Sequence, residues 1–449
     1  MRRATVPQPY LYPPLVGGLL LGFAQPRRHR ATPAGRVGLG GWHLQPARIG
    51  APFRGLREHP LTVGHILQRR CRTTTQRSRL RGITLIAITD VADYAHLSRQ
   101  EIDALGVALD AIRTEIEDSR GARDAAYIRR TIMFQRALDA SARLLIFGSR
   151  SRRGWALGVA SLAVAKSIEN MEIGHNVAHG QWDWMNDPEI HSATWEWDMA
   201  GLMSQWRYSH NYRHHVYANV VDLDDDLGFG IMRVTRDVAW QPRNLMQPFR
   251  NALLAIIFEW GIALHGLHSE HERAANPEER NASTRAFKAK IKRQVIKDYL
   301  LIPALNGSRW RRALTANAAA NIVRNLWSYM VIFCGHFPDG VETFTLDAIK
   351  GESKGEWYLR QMLGSANFTA GRVLAFLSGN LCYQIEHHLF PDLPSNRYAA
   401  IAPRVRALCD TYGLPYVTGP LLGQFLQTQR TIWKLALPDR PVSRVDARI

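Results

Sequence analysis

Eight of the seventeen histidines fall into an ordered pattern. His175 and His179 form a pair at i and i+4, inside Gly174-His-Asn-Val-Ala-His-Gly180. His210 and His214 repeat that spacing, and His215 follows at once. His387 and His388 sit in Gln384-Ile-Glu-His-His-Leu-Phe-Pro391, and His336 stands alone in Cys334-Gly-His-Phe-Pro-Asp339. On a helix, i and i+4 share a face, so each pair can aim at one centre. His215 is then a third imidazole turned toward a neighbouring centre. Imidazole suits zinc, copper, iron and nickel. One zinc site needs only three or four protein ligands, so eight convergent histidines call for two metals. An all-nitrogen pair with open positions favours iron and oxygen chemistry. Soluble di-iron bundles instead pair Glu with Glu-x-x-His, and no such paired motif is present.

Other residues have two readings. His265, His268 and His271 could bind metal, but histidines also suit the last turn of an interfacial helix. Trp182, Trp184, Trp195, Trp197 and Trp206 crowd the stretch between the first two boxes. They form either an aromatic wall for an apolar ligand or ordinary core. Asp222, Asp224, Asp225 and Asp226 are either hydrogen-bond partners of the ligating histidines or a solvated acidic loop. Arg207 and Arg213 suit either phosphate groups or the surface.

The elements that position these residues read as helices. Ser98-Arg-Gln-Glu101 has the form of a capping box. Val91 to Ala140 then shows helical spacing, with a break near Gly121. Apolar stretches follow at 155–168, at 252–268 interrupted by Glu259, and at 313–334 interrupted by Arg324. A membrane-crossing helix needs about 20 apolar residues, a standard none of them meets. From Pro415 the chain reads as a helical tail. The expected fold is all-α: a membrane-associated helical bundle around a histidine-rich di-iron site. Its expected segments are a disordered basic leader (1–84), an amphipathic helical segment (85–150), the catalytic domain (151–438) and a tail (439–449).

The stretches around the boxes resemble the membrane fatty acid desaturase family. They include IENMEIGHNVAHGQWDWMNDPEIH, SATWEWDMAG, NVVDLDDDLGFG, VIFCGHFPDG, WYLRQMLGSANF and SGNLCYQIEHHLFPDLPSNR. The similarity runs from about Ala87 to near Pro438, and within the family it is to actinobacterial acyl-CoA desaturases of the mycobacterial stearoyl delta-9 type. The resemblance implies desaturation of a fatty acyl-CoA by O2 at two iron ions. It implies His175, His179, His210, His214, His215, His336, His387 and His388 as ligands. Gln384 stands where many delta-9 members carry histidine; glutamine there is common in front-end desaturases, so motif and resemblance point to different bond positions. Asn380 either contributes to the centre through a water or makes a turn after Gly379. Electrons would come from a separate NADPH-dependent flavin and iron–sulfur oxidoreductase. The site would face the cytoplasm at the cytoplasmic membrane. The positive-inside rule puts Arg150, Arg152 and Arg153 on that side too. The short apolar stretch from there to His175 is then no simple crossing; shallow or re-entrant helices resolve this, as do buried helices of a soluble protein.

Charge adds little to function. Of the formal +18, residues 1–85 carry fifteen Arg against one acid, Glu58, so +4 remains for residues 86–449. An Arg-, Pro- and Gly-rich arm with few aromatics reads as disordered, not as a nucleic-acid module. Arg2 and Arg3 before Leu15–Ala24 superficially resemble a secretory signal. A disordered leader or a start assigned too far upstream explains them better, since export would part the enzyme from cytosolic reductant. The four cysteines form no CxxC pair, consistent with free thiols. The competing readings are a di-iron hydroxylase on the same scaffold, a metal-binding membrane receptor or store, and a nucleic-acid binder.

Overall fold

The computed structural model describes residues 93–439. The leader assigned to residues 1–84 and the tail beyond 439 lie outside them. Helix α1 (Arg99–Asp118) opens as its sequence implies: Ser98 Oγ accepts from the Glu101 N–H, and Glu101 reaches back to the Ser98 N–H. The break falls at Gly121, and α2 (Ala122–Gly148) follows. Helix α3 (Arg152–Ser167) packs between α2 and the long α8 (Trp310–His336). It runs unbroken into a wider π-helical stretch, Ile168–His175, which ends on the first histidine of the first box; one short α turn, Asn176–Ala178, leads on to His179.

The second box follows α4 (Met203–Arg207), again in a π-helical stretch, Tyr208–His214. Then come α5 (Gln247–Ile256), α6 (Phe258–Arg273) and α7 (Pro277–Val295). Beyond α8, whose last residue is His336, α9 (Lys354–Leu363) packs on α1. The remaining helices are α10 (Arg372–Leu377), α11 (Gln384–Leu389), which bears the third box, α12 (Tyr398–Tyr412) and α13 (Leu421–Ala436). One addition to the all-helical expectation is a short parallel pair, β1 (Asn367–Thr369) with β2 (Thr418–Pro420).

Gly379 seats the third box against the first. Its φ is +69°, and a Cβ there would lie 2.5 Å from the Met171 carbonyl oxygen. Only glycine allows both the left-handed backbone and this approach.

The two charges that interrupt the apolar stretches meet. Glu259 and Arg324 pair at 2.8 Å with side chains 1% and 0% exposed. Beside them Lys166 lies 3.1 Å from both Asp198 and Asp298. Among the described residues no single helix is long and apolar enough to cross a membrane; the segment Pro242–Ile256 and α6 pass together, but they bend by 106°. Apolar side chains are exposed on neighbouring helices, among them Phe249, Leu253 and Leu264 on the bent pair and Leu422, Leu426 and Trp433 on α13.

Candidate metal centre

The π-helical stretches change how the boxes present their histidines. Hydrogen bonds from i to i+5 widen the turn to about 4.4 residues. In the second box the His215 N–H donates to the His210 carbonyl, five residues back. In that register His210, His214 and His215 share one face. An α-helix would have swung His215 away, as the i, i+4 reading assumed.

All eight histidines are buried, and they come together. His175, His179, His210 and His387 form one group, and His214, His215 and His388 a second; within each, one nitrogen per ring lies within 4.8 Å of the others. His215 joins the groups: its ring lies 4.6 Å from that of His179 and stacks 4.6 Å from that of His388. His336 flanks the second group, 4.7 Å from His214 and 5.1 Å from His388 between ring centres.

Hydrogen bonds fix the tautomers. Nδ1 of His210 donates to Asp226 at 2.7 Å, and Nδ1 of His214 to Asp224 at 2.9 Å. Nδ1 of His388 donates to Gln361 Oε1 at 3.1 Å, that of His175 to Asn176 Oδ1 at 3.1 Å, and that of His387 to the Tyr398 hydroxyl at 3.3 Å. With the proton on Nδ1, the Nε2 lone pair is free to bind metal. Nε2 of His179, His210, His214, His215, His387 and His388 is buried without a hydrogen-bond partner. Each such group costs about 1–3 kcal/mol when left unmet. Metal held within each of the two groups would satisfy them, so these residues fit a histidine-held metal centre.

The other candidates sort as follows. The Gln384 amide donates to His336 Nε2 at 3.1 Å. Asn380 takes φ +58° in a turn, and its amide donates to Glu172. Asp224 and Asp226 are histidine partners. Asp225 instead pairs with Arg213. Trp206 stacks on His210 at 4.3 Å, whereas Trp182 is core beside Tyr127. His268 is exposed, and His271 bonds Thr284. His265 departs from the helix-end reading: it is largely buried and bonds Asp226. Sequence reasoning missed Gln361, inside the WYLRQMLGSANF stretch, and Tyr398, directly after SGNLCYQIEHHLFPDLPSNR. Cys334, Cys382 and Cys409 are free and buried.

A model of the fatty acid desaturase family matches residues 153–420. The chain belongs to that family. The desaturase is 58% identical over 361 residues to a protein of Mycobacterium tuberculosis named NADPH-dependent stearoyl-CoA 9-desaturase, a match covering 79% of this chain and 84% of the relative. It is 24% identical over 276 residues to the sn-1 linoleoyl-lipid 6-desaturase of Synechocystis, covering 59% of this chain and 75% of that one.

Burial sets how the metal-free site responds to pH. His175 is lowered to about 3 by burial and then by His210. Burial, with neighbouring imidazoles, also lowers His179, His215, His336, His387 and His388. Burial outweighs Asp226 at His210, which is lowered too. Below about 6.5 the unfolded chain therefore binds protons that the folded chain excludes, and folded stability rises as pH climbs to that value. Burial pushes Glu169, Glu172 and Glu386 up to about 7. These act in the opposite sense, as do His214 and His265, which burial would lower but Asp224 and Asp226 raise; five groups do not reverse seven imidazoles. The urea midpoint of the metal-stripped protein should be higher at pH 6.5 than at pH 5.5. An equal or lower midpoint would show that the buried imidazoles are not neutral.

Proposed function

We propose that the desaturase introduces the delta-9 double bond into stearoyl-CoA, using O2 and two iron ions held by His175, His179, His210, His214, His215, His336, His387 and His388. The observation that carries this reading is the convergence of partnerless buried imidazole nitrogens beside an apolar cavity. Trp197, Met199, Phe229, Phe258, Ile262 and Ile332 line that cavity, and His175, His210 and His336 face it. The 58% identity to a stearoyl-CoA 9-desaturase supports this bond position over the front-end alternative that Gln384 raises.

The iron pair would activate O2, the oxidant that takes two hydrogens from an alkyl chain and, with two electrons from the reductase and two protons, leaves as two waters, chemistry that acid–base side chains lack. The protein's residues do the rest. Asp224, Asp226, Gln361 and Tyr398 hold the Nδ1 protons and ring orientations. The apolar wall excludes water and fixes which carbons lie beside the histidines. The cavity is only about 40 Å³, room for a few waters, so an acyl chain must part its walls.

NADPH in the relative's name supports NADPH-linked electron supply, for which a separate flavin and iron–sulfur oxidoreductase is the proposed donor. The exposed apolar side chains of α5, α6 and α13 suit shallow seating in the cytoplasmic membrane, with the site open to the cytoplasm. Co-expression with a reductase, followed by mass spectrometry of the fatty acids with double-bond localisation, tests the proposal. A product lighter by two hydrogens at delta-9 is expected. A product heavier by one oxygen, or unchanged lipids beside a zinc-loaded protein, would sink it.

Met199 is 2% exposed and lies against Asn170, which accepts from Ser328. Polar groups therefore back this part of the wall, and each methylene forced against them forgoes about 0.8 kcal/mol of burial. Met199→Trp should lower turnover of stearoyl-CoA relative to palmitoyl-CoA by about tenfold, the loss of two methylenes. An unchanged ratio would remove Met199 from the acyl path.

A further inference from the structure

We propose that His265 is a positioning residue for the metal centre, acting through Asp226 on His210. The inference rests on reading the histidine cluster as a metal site. Asp226 is buried between two imidazoles: one carboxylate oxygen accepts from His210 Nδ1 at 2.7 Å, and the other from His265 Nε2 at 3.2 Å. His210 alone would leave the carboxylate free to rotate about its side chain. A second donor from a different helix fixes its plane, and with it the ring whose Nε2 faces the first histidine group.

The neighbouring contacts point the same way. Phe258, Ile262, His265 and Ser269 recur at helical spacing along one stripe of α6. The first three line the cavity. Ser269 Oγ donates to Asp225 at 2.7 Å, and Asp225 in turn holds Arg213 of the second box. The Asp226 N–H donates to Asp224, the partner of His214. One face of α6 thus grips the acidic loop that orients two of the three second-box histidines. The His265 ring is itself held edge-on to Phe229 at 5.5 Å.

The test is the rate at which a chelator strips ferrous iron from the purified loaded protein. His265→Phe keeps a ring beside Phe229 but donates nothing, and should lose iron about 10–100-fold faster. His265→Gln places an N–H near the Nε2 position and should stay within about threefold of the native rate. In an Asp226→Asn background, His265→Phe should add less than about twofold, because the shared partner is already weakened. Should His265→Phe fail to fold, His265→Leu is read in the same assay. Native iron retention in the Phe or Leu variant overturns the proposal, as does equal loss in the Gln variant or a full additional loss over Asp226→Asn. A native protein that binds no iron would instead overturn the metal reading on which it rests.

Discussion

His388→Ala should abolish desaturation, lowering turnover by at least about 10³-fold and emptying part of the metal centre. His388 is fully buried, its Nδ1 is pinned by Gln361, and its Nε2 has no protein partner. Alanine removes one of the three nitrogens of the second group and leaves His214 and His215, with His336 beside them, one ligand short. The Gln361 oxygen would also lose its donor. His268→Ala serves as the control, because His268 is exposed on α6 and pairs with Glu272 one turn on. That variant should retain turnover within about twofold, as surface substitutions generally do. Metal content and product mass, measured on both proteins, decide the matter. Equal loss in the two variants, or full metal content in His388→Ala, would undo the ligand assignment.

Glu259→Leu should destabilise the fold by about 3–5 kcal/mol, because it leaves the Arg324 guanidinium buried without its carboxylate. Arg324 also donates to Asn325 Oδ1 and to the Asp198 carbonyl, and the carboxylates of Asp198 and Asp298 attract it from further off, but those two already pair with Lys166. The double variant Glu259→Leu/Arg324→Leu should recover most of that loss, since an apolar pair of similar volume needs no desolvation of charge. Unfolding midpoints of the two variants and the native protein make the comparison. A double variant no more stable than Glu259→Leu would show that Arg324 matters for contacts other than this pair.

That ion pair also explains what hydropathy could and could not reveal. Along the sequence, Glu259 and Arg324 appear as flaws in two separate apolar stretches. In the fold each is the reason the other is tolerated. Local signals were legible wherever a short-range bond determines the backbone: the Ser98–Glu101 cap, the break at Gly121 and the histidine boxes themselves. The positions of Gln361 and Tyr398 were not, because their roles arise from contacts with His388 and His387, residues 27 and 11 positions away. His265 looked like a helix-end histidine because its partner, Asp226, lies 39 residues before it. The bend between α5 and α6 divides the second stretch, which composition alone presents as one segment.

The π-helical stretches carry a consequence for how this centre can change over generations. A π turn amounts to one extra residue accommodated inside a helix. Losing a single codon between Ile168 and Gly174 would return that stretch to the α register: seven residues at about 100° each turn through about 700°, against about 655° for eight at about 4.4 per turn, so His175 and His179 would swing by about 45° relative to the preceding helix. Point changes in the stretch leave the surplus residue in place, whereas a one-residue deletion removes it and turns both rings together.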